Sequence, residues 1–399
     1  MYLYKYGGES LGKGERLINR YKLDFRLIRD IDRTLLVTMI TIIIYGILNI
    51  YIATKGGASE AGAFYFVSKQ GAFFIISIIA LYFFMAVDYK VIYRYVPIFY
   101  WFSVFLLLTI WIPGFGVKVN GARGWINLGI TNFQPAELAK FGIILMVAKI
   151  IDELEDEHEL NTVKVLSKIA IYVAIPMGLI VIQPDMGMTM VCFFIVLGML
   201  FVAGLDKRII IGGFLILAVG VGLAWNLNII KPYQKARVKA MLNPDSGDTE
   251  DQYQLNQSLI GIGSGGLTGI RVALDKDVSP GYAGTHVPEV QTDFIFAAIS
   301  EQWGFIGSMI LLGLYGVMIS RMIAIARSAR DRFGSLICIG MVSYFLFAIT
   351  QNIGMTIGLL PITGITLPLV SYGGSSLLTT VMAVALVLNV GMRKQKIHF

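Results

Sequence analysis

The chain has 399 residues, a length sufficient for two or three soluble domains. Its composition excludes a soluble protein, because 56% of the residues are hydrophobic, 15% are charged and the mean hydropathy is +0.70. These values are typical of a polytopic membrane protein. The net charge of +7 does not indicate nucleic-acid binding, since the basic residues lie between hydrophobic runs, where membrane topology explains them.

Ten stretches of the sequence are apolar enough to cross a membrane as helices, which takes about 20 residues. They are 34–54, 64–86, 92–112, 133–151, 167–183, 186–204, 209–227, 293–319, 335–358 and 375–391. These stretches predict an all-α polytopic integral membrane protein with about ten transmembrane helices. We expect one transmembrane domain, 34–391, between two short tails, 1–33 and 392–399.

The basic residues predict the orientation of the chain. Most of the 33 Lys and Arg residues fall in the two tails and in alternate connections between the predicted spans. Those connections are 88–94, 152–168, 206–208 and 320–334. By the positive-inside rule, both tails are cytoplasmic. The longer connections 113–132, 228–292 and 359–374 are then irregular segments outside, and 228–292 is a large extracytoplasmic loop of a length that is usually functional.

Asp293 opens the eighth predicted span. A carboxylate at the edge of hydrocarbon is costly, so it is a functional-site candidate by default. Thr292 and Asp293 are also good N-cap residues. An interpretation of equal weight is that Asp293 only satisfies free N–H groups at the start of a helix.

Other polar side chains fall inside or beside the predicted spans. Glu137 and Lys140 lie three residues apart on one face of the fourth span and are spaced to pair. The pair belongs either to a functional cavity or to a structural ion pair that orients helices. Asp185, which follows Gln183 and Pro184, is a functional candidate or simply the cap of the sixth span.

Two glycine-rich segments are placed at the outer side, 261–269 (GIGSGGLTG) and 371–376 (SYGGSS). Glycine lets backbone N–H groups turn towards an anion, although such a cluster also fits a flexible turn. Basic residues in outer loops are unexpected under the charge rule and indicate an anionic ligand there. They are Arg123, Lys231, Lys235, Arg237, Lys239 and Arg271.

Six segments, in this order, resemble the shape, elongation, division and sporulation family. They are NGARGWINLG, FQPAELAK, QPDMG, QSLIGIGSGGLTG, PEVQTDFIFAAISEQWGFIG and NIGMTIGLLPITGITLPLVSYGGSS. The resemblance implies a ten-helix peptidoglycan glycosyltransferase of the bacterial cytoplasmic membrane. Such an enzyme polymerises lipid II at the outer face by moving a glycan from its undecaprenyl diphosphate, and it works among membrane lipids beside a class B penicillin-binding transpeptidase.

The resemblance also implies roles for individual residues. Asp293 matches the family's essential acidic residue, as the base for the acceptor hydroxyl or as the ligand of a divalent cation, Mg²⁺ or Mn²⁺. The substrate-binding residues that we expect are Arg123, Trp125, Gln134, Glu137, Lys140, Asp185, Gly265, Gly266, Arg271, Ser371, Gly373 and Gly374. Of these, Arg123, Lys140 and Arg271 are assigned to the leaving diphosphate.

Four positions depart from the family pattern. Gly124 stands where Arg commonly precedes the Trp of the first motif, and Arg271 stands where the glycine-rich turn usually ends in GKG. Gln291 replaces a His, and Gln302 replaces the second member of a Glu pair. The departures concern diphosphate contacts more than the fold, or they mark a divergent paralogue with altered activity.

Two other functions stay open from the sequence. A lipid II flippase also needs polar groups in the bundle, and the departures suit a non-catalytic scaffold for the transpeptidase. The enzyme is favoured because the motifs concentrate on the outer side, whereas a transporter needs sites reachable from both faces. Within the family, the NPDS segment and the pair Tyr253 and Gln254 lean towards the RodA (elongation) branch rather than the division or sporulation branches.

Overall fold

A computed structural model describes residues 29–55, 62–119, 122–127, 129, 132–227, 231–242, 250–270 and 281–393. Most of the two predicted tails, 1–33 and 392–399, lies outside these residues. Arg271 lies outside them as well, and only the backbone of Arg123 is described.

The described helices follow the predicted spans closely. In chain order they are α1 (Arg33–Thr54), α2 (Gly62–Ala86), α3 (Tyr89–Thr109), α4 (Pro135–Asp152), α5 (Val163–Ile182), α6 (Met186–Val202), α7 (Lys207–Asn226), α8 (Pro232–Leu242), α9 (Glu250–Ser264), α10 (Gly281–His286), α11 (Ile295–Arg327), α12 (Arg332–Thr356) and α13 (Gly374–Met392). A helix coincides with each of the ten predicted spans, and α8 to α10 lie in the predicted large loop. A short 3₁₀ helix, Glu157–Asn161, joins α4 to α5.

Seven of the described helices are long and apolar enough to cross a membrane: α1, α2, α3, α5, α11, α12 and α13. Helix α6 is equally apolar but shorter, with 17 residues. Helix α4 has 18 residues that include Glu137, Lys140, Lys149 and Asp152, and it is buried on most sides, so its charges face protein rather than lipid. The prediction of an all-α polytopic membrane protein is confirmed.

Helix α13 lies at the centre of the bundle, where nearly all of its side chains are buried. It packs against α2, α12 and α11. Its sequence carries no charged residue, and its few polar side chains, such as Ser375, Thr379 and Asn389, form hydrogen bonds within the protein. Helix α5, in contrast, buries few side chains and lies at the edge.

The connection 113–132 was predicted to be irregular, and this prediction is wrong for most of it. It contains the strands β1 (Gly116–Val119), β2 (Ala122–Asn127) and β3 (Asn132–Phe133), which form an antiparallel sheet in the order β1-β2-β3. β-branched residues such as Val117 and Ile126 favour strands, but the segment is too short and rich in Gly for a clear alternating pattern.

The connections that follow α3, α5, α7 and α12 meet at one end of the bundle, which we call the long-loop end. Helix α9 is tied to the bundle there, since Ser258 Oγ donates a hydrogen bond to the Thr356 oxygen at 2.9 Å. The small sheet is tied to α13 in the same way, by Ser375 Oγ and the Asn132 oxygen at 3.1 Å.

The segment 357–373 is irregular backbone that dips back into the bundle before α13 begins. Irregular backbone inside a membrane protein needs partners from the protein for its polar groups. Buried side chains supply them: Tyr315 Oη donates to the Pro368 oxygen at 2.5 Å, and Gln351 Nε2 donates to the Pro361 oxygen at 2.9 Å. Helices α11 and α12 therefore fix the path of this segment.

Candidate active site

Asp293 lies at the long-loop end, just before α11 begins. The N-cap residue of α11 is Phe294, and no side chain caps this helix, so the interpretation of Asp293 as a helix cap is wrong. Among the described residues, the carboxylate forms no hydrogen bond and no ion pair. Its Oδ2 atom lies 3.6 Å from the place that a Cβ on Gly364 would take, so the carboxylate faces the segment 357–373.

The backbone that carries Asp293 is held by the C-terminal part of the chain. The carbonyl oxygens of residues 291–293 accept hydrogen bonds in turn from the Tyr372 N–H at 2.8 Å, from Ser371 Oγ at 2.5 Å and from Asn352 Nδ2 at 2.8 Å. Buried carbonyl groups outside regular helices need such donors. The position of Asp293 therefore depends on α12 and on the segment that enters α13.

The surroundings of Asp293 disfavour its charged form. Removal from water raises its pKa most, and Glu289 raises it further, while Arg237 on α8 opposes them. The balance raises the pKa of Asp293 to about 7. A general base works best when its pKa lies near the working pH, so this carboxylate is suited to accept a proton from a hydroxyl group.

Asp185 joins the same charged region, and its negative charge adds slightly to the raised pKa of Asp293. Gln134 Nε2 donates to Asp185 Oδ2 at 2.8 Å, and the Met188 N–H donates to Asp185 Oδ1 at 2.9 Å. The capping interpretation of Asp185 is confirmed, because it is the N-cap of α6. The structure thus brings together Gln134 and Asp185, which were predicted from separate motifs.

Glu137 and Lys140 form a buried ion pair in α4, with 2.6 Å between Lys140 Nζ and Glu137 Oε2. Thr379 Oγ1 of α13 donates to the same carboxylate oxygen at 2.5 Å. Lys140 Nζ also lies 3.7 Å from the ring centroid of Tyr344 in α12, a cation–π contact. The pair therefore links three helices, and direct contact of Lys140 with a diphosphate stays a prediction.

The glycine-rich turn after α9 packs against a kink in α11. At the kink Gly304 has φ 65° and ψ −165°, and the Phe305 N–H donates to the Gly266 oxygen at 2.9 Å. The N–H groups of Gly265 and Gly266 donate to carbonyl groups of α9 at 3.3 and 3.4 Å. These groups serve the turn itself, so an anion contact through the N–H groups of Gly265 and Gly266 is a prediction that the local hydrogen bonding does not favour.

Ser371, Gly373 and Gly374 lie where the segment 357–373 enters α13. Gln70 of α2 holds this entry, because its Nε2 donates to the Ser371 oxygen at 3.1 Å and its Oε1 accepts from the Gly373 N–H at 3.2 Å. A Cβ on Gly374 would lie 2.3 Å from the ring of Phe73. The contacts seen for these three residues are within the protein, and their contact with substrate stays a prediction.

Strand β2 carries the residues of the first motif. Trp125 is half-buried and pairs with Val117 of β1. Gly124 is buried, and a Cβ there would lie 3.8 Å from Gln183 Oε1, a buried oxygen without a hydrogen-bond partner in the described part of the chain. The departure at Gly124 thus leaves an acceptor unpaired where the family pattern has an Arg, which is a donor.

The remaining departures lie beside groups that hold the backbone. The Gln291 oxygen accepts the hydrogen bond from Tyr372, and its side chain lies 3.5 Å from Glu289 Oε2. Glu301, the neighbour of Gln302, accepts hydrogen bonds from the Tyr282 N–H at 2.5 Å and the Ala283 N–H at 2.8 Å. The first member of the acidic pair therefore fastens α10 to α11.

Three residues of the site were not assigned a place beside Asp293 from the sequence. Arg237 was one of six basic residues considered, and the helical pattern of 232–242, which begins with Pro, would have placed it on α8. Gly364 and Asn352 lie within a recognised motif, but their contacts with Asp293 arise only from the fold. No local pattern marks them.

A Mg²⁺ ion at a phosphate-transfer or diphosphate site is commonly held by one or two carboxylates together with the substrate's phosphates. Within the described ranges, no group of three or more His, Cys, Asp or Glu side chains is placed to hold a metal ion. Asp293 as the ligand of a divalent cation shared with the diphosphate therefore stays a prediction, and we derive no step through a metal.

Comparison with known proteins shows the family. The model of the FtsW, RodA and SpoVE family, described as cell cycle proteins, matches residues 32–396. This chain belongs to that family. Stage V sporulation protein E of Bacillus subtilis (strain 168) is 34% identical over 364 residues, covering 90% of this chain and 96% of the relative. The probable peptidoglycan glycosyltransferase FtsW of Trichlorobacter lovleyi is 32% identical over 369 residues, covering 92% and 94%.

Solved structures of family members share the fold. A chain of a peptidoglycan synthase complex that coordinates polymerisation and crosslinking superposes with a TM-score of 0.77 at 29% identity, over 90% of this chain and 97% of that chain. The rod shape determining protein RodA of Thermus thermophilus superposes with a TM-score of 0.66 at 27% identity, over 92% and 98%. Members named for all three branches match at similar identity, so the lean towards RodA has no specific support.

Proposed function

We propose that this chain polymerises lipid II into glycan strands at the outer face of the bacterial cytoplasmic membrane, with Asp293 as the base. The enzyme class follows from the family: relatives at 30% identity or more over most of their length are named probable peptidoglycan glycosyltransferases, and the chain is an enzyme of that class. The observation that supports the role of Asp293 is its carboxylate, which is free of partners among the described residues and has its pKa raised to about 7 by removal from water.

In the proposed reaction, Asp293 takes the proton from the 4-hydroxyl of an incoming lipid II sugar. The oxygen of that hydroxyl forms a bond to the anomeric carbon of the growing glycan, and the bond from this carbon to undecaprenyl diphosphate breaks. The diphosphate leaves with the electron pair and needs cations to stabilise it. Arg237, whose charge lowers the pKa of Asp293, supplies one such charge. We assign Arg123, Lys140 and Arg271 to the same task.

The proposed orientation places the long-loop end outside and both termini in the cytoplasm. The positive-inside rule supports it, and so does the chemistry, since the acid, the basic helix α8 and the glycine-rich turn lie at that end. We propose a class B penicillin-binding transpeptidase as partner, supported by the likeness to a chain of a peptidoglycan synthase complex. Of the three branches of the family we favour the elongation branch, and this choice is based only on the sequence of residues 243–292.

The test uses purified protein in detergent with lipid II as sole substrate. Glycan strands formed there exclude a pure flippase or scaffold, because neither activity joins sugars. Asp293→Asn keeps the size of the side chain but removes the base, and we expect polymerisation to fall by about 100-fold or more. Glu250→Gln, an exposed acid on α9 at the same end, is the matched control. Undiminished polymerisation by correctly folded Asp293→Asn protein would refute the assignment of the base.

A further inference from the structure

Asn352 of α12 is a buried amide that the proposed reaction does not use. It is 0% exposed. Its Nδ2 donates two hydrogen bonds, to the Asp293 oxygen at 2.8 Å and to the Ile365 oxygen at 2.7 Å. Because an amide NH₂ group has two hydrogen atoms to donate, both are used on backbone carbonyl groups.

The orientation of this amide is set by its neighbours. If the nitrogen and oxygen were exchanged, the side-chain oxygen would face two carbonyl oxygens and no donor would remain between them. The Oδ1 atom of Asn352 has no hydrogen-bond partner among the described residues although it is buried. An unpaired buried acceptor costs free energy, so packing alone gives no reason for an amide here.

The two carbonyl groups belong to the two walls of the site. One is that of Asp293 itself, and the other is that of Ile365. Its neighbour Gly364 faces the carboxylate of Asp293, since a Cβ on Gly364 would lie 3.6 Å from Asp293 Oδ2. Neither segment is helical at these residues, so neither position is fixed by a helix. One side chain of α12 therefore joins the backbone of the acid directly to the wall opposite it.

We propose that Asn352 is a positioning residue for glycosyl transfer, which holds Asp293 and the backbone at Gly364 in register so that the carboxylate meets the acceptor hydroxyl. The proposal rests on the proposed function, since the register affects the rate only if Asp293 reacts. We expect binding of the lipid and sugar not to depend on the NH₂ group of this amide, because both of its hydrogen atoms are donated to the protein. Misplacement by about 1 Å costs about 100-fold in rate.

The chain offers a matched control in Asn389 of α13. It is also 0% exposed, and its Nδ2 donates to the carbonyl oxygens of Phe84 and Val87. It differs in lying at the opposite end of the bundle, where α2 turns into α3. If a buried amide between two backbones matters only for stability, Asn352→Ala and Asn389→Ala should behave alike.

The experiment measures kcat and KM for lipid II with folded, monodisperse protein of each variant. For Asn352→Ala we expect kcat to fall by about 10-fold to 100-fold with KM within about twofold of the parent, and for Asn389→Ala an unchanged kcat. If the alanine variant folds poorly, Asn352→Ser replaces it, because the serine side chain keeps a donor but is too short to reach both carbonyl groups. We expect the same fall in kcat with a nearly unchanged KM. An unchanged kcat in Asn352→Ala and Asn352→Ser would overturn the proposal.

A third variant, Asp293→Asn with Asn352→Ala, separates the two proposals. If Asn352 acts through Asp293, the second substitution should leave the residual rate of Asp293→Asn unchanged, because the group that it positions is already absent. A further loss of the same size as in the parent would overturn the positioning role. Full activity of Asp293→Asn refutes the proposed base instead, whereas an inactive Asp293→Asn beside an unaffected Asn352→Ala refutes only the positioning role.

Discussion

Gly304 of α11 and Gly269 of the turn after α9 meet backbone to backbone, so that a Cβ on Gly304 would lie 2.4 Å from the Gly269 nitrogen. Both residues have positive φ angles, 65° and 79°, which residues with a side chain adopt only with strain. The contact places the glycine-rich turn on the kink of α11. The glycines of this turn therefore allow the two backbones to come into close contact.

Gly304→Ala should therefore destabilise the protein. The added Cβ meets backbone atoms that cannot rotate away, and the φ angle is unfavourable, so we expect a loss of at least about 2 kcal/mol. Gly313→Ala, in the same helix with open space around its Cβ, should be neutral or stabilising by up to about 1 kcal/mol. Thermal unfolding in detergent measures the stability of both variants. Equal unfolding midpoints for the two variants would contradict the close contact between Gly304 and Gly269.

The rate of polymerisation should depend on pH through Asp293. Its pKa is raised by removal from water to about 7, from an ordinary value of about 4, and only the charged form is a base. The rate should rise about tenfold per pH unit below about pH 7 and level off above it. Initial rates with lipid II between about pH 5.5 and 8.5 test this, and a flat profile would count against Asp293 as the base.

The same shift predicts how stability changes with pH. A carboxyl group whose pKa is raised on folding favours the folded state while it is protonated, and this contribution is lost as the pH rises from about 4 through about 7. Asp293→Asn keeps a neutral group at all pH values. Its melting temperature should therefore exceed that of the parent at about pH 8 and match it at about pH 4, as measured by thermal unfolding.

Arg237→Gln should move the acidic limb of the rate profile to higher pH. Arg237 lowers the pKa of Asp293, and its loss leaves Glu289 and Asp185 to favour the protonated acid. The value of kcat/KM should fall as well if Arg237 also meets the diphosphate. The control for a general loss of positive charge is Lys239→Gln, which changes an exposed residue on the same helix. An identical shift of the acidic limb in both variants would show that Arg237 does not act specifically on Asp293.

Removing one partner of the ion pair in α4 should cost more than removing both. Lys140→Met leaves the Glu137 carboxylate buried without its cation, a loss of about 3 to 5 kcal/mol. Glu137→Gln with Lys140→Met removes both charges, and we expect it to recover most of this loss in thermal unfolding. Full polymerisation by the folded double variant would show that Lys140 does not contact the diphosphate.

The helices could be predicted from the sequence because their signal is local. About 20 apolar residues in a row need a membrane whatever surrounds them, and the ends of α1 and α13 fall within a residue or two of the prediction. The strands β1 to β3 were not predicted, because each is short and lacks a clear alternating pattern of its own. Contacts with the helix bundle stabilise them instead. The helices α8 to α10 were not predicted, because the long connection that contains them, 228–292, was interpreted as an irregular loop.

Within the site, contacts near in sequence were foreseen and distant contacts were not. Glu137 and Lys140 are three residues apart, so their pairing follows from helix geometry, and Asp185 caps the helix that it precedes. The hydrogen bond between Asn352 and Asp293 joins residues 59 apart. It depends on how α12 and the segment 357–373 pack, which no local spacing expresses.

The hydrogen bonds to residues 291–293 also order events during synthesis. Asp293 leaves the ribosome before α12 and α13 exist, and its backbone has no donors until Asn352, Ser371 and Tyr372 have followed it. A nascent chain inserted only as far as α11 carries the carboxylate of Asp293 without the hydrogen-bond donors that hold its backbone. If Asp293 is the base, as proposed, we expect glycan synthesis only from chains whose α13 has entered the membrane.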